Sequence, residues 1–91
     1  MIKSFIHKGL KEVWDTGKSA KVRQDLLRRI VVRLDALDAA TELTQLSQPG
    51  FEFHVLQGKP TRHTIHVNGP FCITFEWIDG NAWRADLVQY H

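Results

Sequence analysis

Ninety-one residues supply one hydrophobic core and no more, which excludes a two-domain enzyme with its site in an interdomain cleft. Hydrophobic residues at 43% and charged residues at 24% fit a globular domain and not a disordered tail. Twelve Lys and Arg against ten Asp and Glu leave a formal charge of +2, so any contact with nucleic acid has to be local.

Ile2, Phe5 and Ile6 predict a short opening strand, and Leu10, Val13 and Trp14 predict a first helix that stops near Gly17. Ser19 then offers an N-cap for a long second helix. From there to about Ala40, Val22, Leu26, Leu27, Ile30, Leu34 and Leu37 recur at three- and four-residue intervals, the pattern of an amphipathic helix packed on a flat surface. Its other side carries Lys21, Arg28, Arg29 and Arg33, with Asp25 placed to pair with Arg29 one turn on. That stripe suits either a solvated face or a polyanion contact. The positive charge belongs to this half, since residues 1–48 hold nine Lys and Arg against six Asp and Glu.

Beyond Gln48-Pro49-Gly50 the pattern changes to period two, and four strands are expected, separated by Gln57-Gly58-Lys59-Pro60, Asn68-Gly69-Pro70 and Asp79-Gly80-Asn81. Requiring apolar residues to meet across each pair fixes one register. Phe53, Ile65, Ile73 and Leu87 form one row, Phe51, Val67 and Phe71 another, and Phe75 and Ala85 are joined on this face by Trp77 and Trp83. The helices cover it. The opposite face collects His54-Thr64-Thr74-Asp86, Glu52-His66-Cys72-Val88 and Arg62-Glu76-Arg84, with Tyr90 continuing the parity of Val88. The expected architecture is a single α+β domain over residues 1–91, two N-terminal helices packed on one face of a twisted antiparallel sheet.

The single cysteine, Cys72, excludes an internal disulfide and a thiolate zinc cluster, and His63 and His66, three apart on a strand, point to opposite faces. No metal and no cofactor are expected. The opening residues lack the apolar core of a signal peptide, and no stretch approaches the roughly 18 apolar residues of a membrane span, so a cytoplasmic chain without membrane contact is expected. Glycine-rich phosphate loops and Gly-x-Ser-x-Gly elbows are missing from the sequence. Cys72 opposite His66 allows a nucleophile pair, but a strand cysteine is more often inert filler. What the polar face does suit is metal-independent RNA cleavage. There the 2′-hydroxyl is the nucleophile, and the protein supplies a base, an acid and a cation. His54 and His91 have the right chemistry for proton transfer.

Several segments carry a resemblance: Met1-Ile-Lys-Ser-Phe, the His7-Lys-Gly-Leu start of the first helix, and Leu34-Asp-Ala-Leu-Asp-Ala-Ala-Thr-Glu-Leu at the end of the second. His54-x-Leu-x-Gly58, Ile73-Thr-Phe75 and the final Tyr90-His91 complete it. Together they resemble the HigB branch of the RelE/ParE toxins. The resemblance implies a toxin that cuts mRNA in the ribosomal A site and is restrained by a helix-turn-helix antitoxin of the HigA type. Operator DNA would be reached only through that antitoxin. It further implies His54, Tyr90 and His91 as catalytic residues, and Lys21, Arg28, Arg29 and Arg33 as the ribosome-contacting side. Where the family has a phosphate-binding strand arginine, this chain has Cys72; the lysine before the turn glycine is Gln57, and the acidic residue before Tyr-His is Gln89. Lys59, together with Arg62 or Arg84, is expected to hold the phosphate in their place, although Arg62 and Arg84 also flank Glu76 and can pair with it instead. The same departures leave open a non-catalytic inhibitor that binds ribosome, antitoxin or DNA gyrase through this scaffold.

Overall fold

A computed structural model describes residues 1–90. The first helix, α1 (Lys8–Thr16), starts where the His7 imidazole accepts a hydrogen bond from the Leu10 amide at 3.0 Å. It ends at Gly17, whose φ of 85° suits glycine and whose amide donates to the Val13 carbonyl at 2.8 Å. Leu10 and Val13 point into the core.

The second helix, α2, runs from Leu27 to Ala39, shorter at its start than the apolar spacing predicts. Ser19 does not cap it. Its hydroxyl donates to Glu12 and accepts from the Lys21 amide, which closes a turn. The Gln24 side chain donates to the carbonyls of Ser19 and Val22, and a 3-10 turn at Gln24–Leu26 leads into the helix. Val22 and Leu26 are buried from this loop much as a helix would bury them, and so their spacing imitates helical periodicity. Asp25 pairs with Arg23 at 2.7 Å and not with Arg29. A further 3-10 turn, Leu43–Leu46, precedes the sheet.

Strands β1 (His54–Leu56), β2 (Arg62–Asn68), β3 (Phe71–Ile78) and β4 (Asn81–Gln89) form an antiparallel sheet in that order. The opening segment is a strand only in part, making parallel bridges from Ile2 to Ala82 and from Phe5 to Ala85 on the β4 edge. Ile65, Ile73 and Leu87 share a row as the hydrophobic pattern requires. The core between helices and sheet is made by Leu10, Ile30, Leu34, Leu37, Ile65, Ile73 and Phe75, all with no exposed surface.

Two bulges alter the expected rows. Asn68 pairs with Phe71, closing a two-residue turn over Gly69 and Pro70, so Val67 is left as the extra residue and does not face Phe71. On β4, Thr74 faces Asp86 but Glu76 faces Trp83, which leaves Arg84 as an extra residue with φ 55°. The expected core position of Trp83 is thereby corrected. Ala82 takes the core face opposite Trp77, and Trp83 turns to the polar face beside Glu76 with 36% of its surface exposed.

Candidate active site

The face of the sheet turned away from the helices collects the polar and titratable side chains. His54, Thr64, Thr74 and Asp86 lie in one row across the four strands. His66, Cys72 and Val88 form the next row, with Glu52 tied to His66 at 2.9 Å. At the other end Glu76 lies between Arg62 and Arg84, its Oε2 3.1 Å from Arg62 Nη1 and 3.0 Å from Arg84 Nε. From the row of Tyr90 to that of Glu76 the face extends on the order of 20 Å, at about 3.3 Å per residue.

His54 is exposed at the start of β1, and its Nδ1 lies 3.0 Å from the carbonyl of Glu52. A carbonyl only accepts, so Nδ1 carries the hydrogen and Nε2 is left with its lone pair toward solvent, the tautomer a general base needs. His66 differs: Nδ1 meets the Glu52 carboxylate and Nε2 meets the Gly69 carbonyl at 3.0 Å, so both ring nitrogens are occupied. It is a tie between the sheet and the Asn68-Gly69-Pro70 turn. Tyr90 is half exposed, and its amide donates to the Pro70 carbonyl at 2.8 Å, which sets it at the His66 end of the face. His91 lies outside the described residues.

Of the residues the sequence offers as phosphate ligands, Lys59 is exposed in the β1–β2 turn. Arg62 is more deeply engaged than a phosphate ligand needs to be, because Nη2 also donates to Thr74 Oγ1 and to the Arg84 carbonyl, each at 2.9 Å. Arg84 keeps 62% of its side chain exposed beyond its contact with Glu76. Ile6, Pro60, Arg62, Glu76, Arg84 and Asp86 line an open cleft of about 430 Å³ at this end. The sequence register places Arg62 and Glu76 together correctly; the carbonyl contact through the bulge leaves no sequence signal. At the centre Thr64 is fully buried, and its hydroxyl has no partner among the described residues.

The basic helix needs correction at two positions. Lys21 lies before α2 and pairs with Glu12 at 2.7 Å, and with Ser19 it holds the Glu12 carboxyl below the usual carboxylate range. Arg33 is buried on the sheet side, 8% exposed. Its Nε donates to the His66 carbonyl at 2.7 Å, Nη2 reaches the Gly50 carbonyl at 3.4 Å, and the guanidinium lies 4.8 Å from the Phe51 ring centre. Burial, and then Arg29, lower its proton affinity. An aromatic and two carbonyls outcompete solvent for this arginine, leaving Arg28 and Arg29 as the exposed basic pair on α2.

His63 takes the core side of β2, stacked 5.7 Å from Phe53 and 5.6 Å from Phe75, and burial pushes its imidazole toward the neutral form. Among the described residues no group of three or more His, Cys, Asp or Glu is arranged to hold a metal ion. Among the described residues no helix is long and apolar enough to cross a membrane.

Two helices on one face of a four-stranded antiparallel sheet, with an imidazole and guanidinium groups on the other, make this a RelE-like α+β protein. Residues 3–91 match the family described as RelE-like toxin of type II toxin-antitoxin system HigB, and the chain belongs to that family. It is 38% identical over 92 residues to Endoribonuclease HigB of Proteus vulgaris, with the whole of both chains covered.

Proposed function

We propose that this toxin is a metal-independent endoribonuclease that cuts mRNA in the ribosomal A site. The observation that carries the reading is His54, exposed on the polar sheet face with Nδ1 at the Glu52 carbonyl and Nε2 without a hydrogen-bond partner among the described residues. In the reaction Nε2 removes the proton of a ribose 2′-hydroxyl, and the 2′-oxygen attacks the adjacent phosphorus. The P–O5′ bond breaks as the 5′-oxygen takes a proton from Tyr90 or His91. The products are a 2′,3′-cyclic phosphate and a 5′-hydroxyl, with no outside reactant needed. Lys59 and Arg84 present exposed cations to the phosphates of the message bound along this face, and Arg62, braced on Glu76, adds charge beside them. Arg28 and Arg29, with Lys21 at the foot of the helix, form the side that meets ribosomal RNA; Arg33, held inside, supports the sheet from behind.

The antitoxin partner common to type II systems is of the helix-turn-helix HigA type in this reading, operator DNA is reached only through it, and the toxin works in the cytoplasm. Growth arrest and cutting of a defined message on programmed ribosomes, measured for His54→Gln, Tyr90→Phe and His91→Gln, test the proposal. Loss of about a hundredfold or more in cutting for His54→Gln is expected. Unchanged cutting in all of them defeats the assignment, and DNA breaks with intact message would transfer the target to gyrase.

A further inference from the structure

We propose that Trp83 is a base platform of the RNA-cutting face, on which a nucleobase of the bound message stacks while its phosphate meets Arg84. The inference deepens the endoribonuclease reading and rests on it. Hydrophobic pattern alone sends this indole to the core. The Arg84 bulge reverses it, and a bulge beside a site is a known device for re-aiming one side chain.

The molecule holds that bulge from both sides. Arg84 sits at φ 55°, a conformation non-glycine residues seldom adopt without support. Its amide donates to Ser4 Oγ at 2.8 Å and its carbonyl accepts from Arg62 Nη2 at 2.9 Å. On either side of it the opening segment hydrogen-bonds β4: the Ala82 amide to the Met1 carbonyl, the Lys3 amide to the Ala82 carbonyl, the Ala85 amide to the Ser4 carbonyl, and the Ile6 amide to the Ala85 carbonyl. These bonds brace the bulged stretch on either side of Trp83, so the indole is presented and not merely displaced.

The indole of Trp83 lies among an acid, an apolar side chain and a cation. It faces Glu76 across the strand pair, with the exposed side chain of Ile78 two residues further along β3 on the same face. The Arg84 guanidinium follows it directly in the chain, more than half exposed. An aromatic plane next to an outward cation is the combination that binds single-stranded nucleic acid, because every base offers a π-face and every link a phosphate. Arg62 thereby acquires a positioning role, since its contact with the Arg84 carbonyl fixes the bulge. A protein partner would gain the apolar surface of Trp83 and Ile78 but offers no regular phosphate to the part of the Arg84 guanidinium that stays exposed beyond its contact with Glu76, which favours RNA.

The test uses the intact toxin. Cutting of a message on programmed ribosomes is measured for Trp83→Ala and Trp83→Phe, and indole fluorescence is titrated with a short RNA made uncleavable by a 2′-deoxy link. Trp14→Phe identifies which indole responds. Stacking of one base implies a loss of about tenfold or more in kcat/KM for Trp83→Ala, carried by KM, and a loss of only a few-fold for Trp83→Phe, which keeps an aromatic face. Quenching by the RNA is expected in the wild type and in Trp14→Phe and is expected to vanish in Trp83→Phe. Cutting by Trp83→Ala within twofold of wild type, or quenching that survives in Trp83→Phe, overturns the inference. Intact cutting with lost neutralisation by the antitoxin would also overturn it, placing the indole in a protein interface. A wild type that cuts no message would defeat the endoribonuclease reading, and the fluorescence titration would still judge the platform.

Discussion

Replacing Arg33 by methionine separates a structural arginine from a ribosome-contacting one. Methionine keeps the aliphatic stem against the sheet but removes the charged hydrogen bond to the His66 carbonyl at 2.7 Å and the longer contacts to the carbonyls of Gly50 and Arg29, each at 3.4 Å. The short bond counts for about 2 kcal/mol, as a charged donor on a part-buried acceptor, and the two long ones for little. The guanidinium over Phe51 at 4.8 Å adds about 1 kcal/mol. Relief from burying the charge, the same effect that lowers its proton affinity, returns part of this. The net expectation is a loss of about 2 kcal/mol, or roughly 8 to 16 °C in Tm for a domain of this size. Urea denaturation followed by circular dichroism, with unchanged m, measures it. Alanine at Arg28 or Arg29 should stay within about 0.5 kcal/mol of wild type. Because Arg33 ties α2 to the segment ending at Glu52, whose carbonyl orients His54, Arg33→Met should also slow cutting. A stability change below about 0.5 kcal/mol, together with weakened ribosome binding, would refute the reasoning and return Arg33 to the surface.

Further outcomes are expected elsewhere. His63 is neutral in the fold and titrates near its ordinary value of about 6.5 once unfolded, so acid favours the unfolded chain and stability falls as pH drops below that value. Urea midpoints from pH 7.5 to 5 should show this fall, and His63→Phe, which keeps the stack with Phe53 and Phe75, should flatten it. Glu76→Gln leaves Arg62 half-buried without its counter-charge and should cost about 2 kcal/mol in the same denaturation assay while loosening the Arg84 bulge. Cys72→Arg restores a cation in the strand row facing His66 and Val88 and should raise cutting by about tenfold; no gain beside strong native cutting would mean that Arg84 and Lys59 already supply the charge.

The sheet was largely legible because its turns are chemically explicit and its apolar residues meet in one register. The rows of His54 and of His66 with Cys72 stand where alternation puts them. The bulges were not legible, since a one-residue insertion leaves the composition of a strand unchanged and Arg84 carries no glycine to announce its backbone. That silence hid Trp83. Arg33 misled for another reason: its long stem and forked head let a charged residue sit under a sheet, so helical phase alone assigns it to solvent. The loop before α2 misled by burying Val22 and Leu26 at a helix-like interval. His54 was readable as a candidate, but its tautomer follows from the Glu52 carbonyl, whose position depends on a φ of 46° that no pattern predicts.

Mapping the ends of message cut on programmed ribosomes tests the chemistry most directly. Attack by the neighbouring ribose leaves a 2′,3′-cyclic phosphate, or the 3′-phosphate it hydrolyses to, and a 5′-hydroxyl. A single 2′-deoxy substitution at the scissile nucleotide should abolish cutting there, and His54→Gln should suppress it on the natural message. A 5′-phosphate on the downstream fragment, or undiminished cutting of the 2′-deoxy message, would contradict the account.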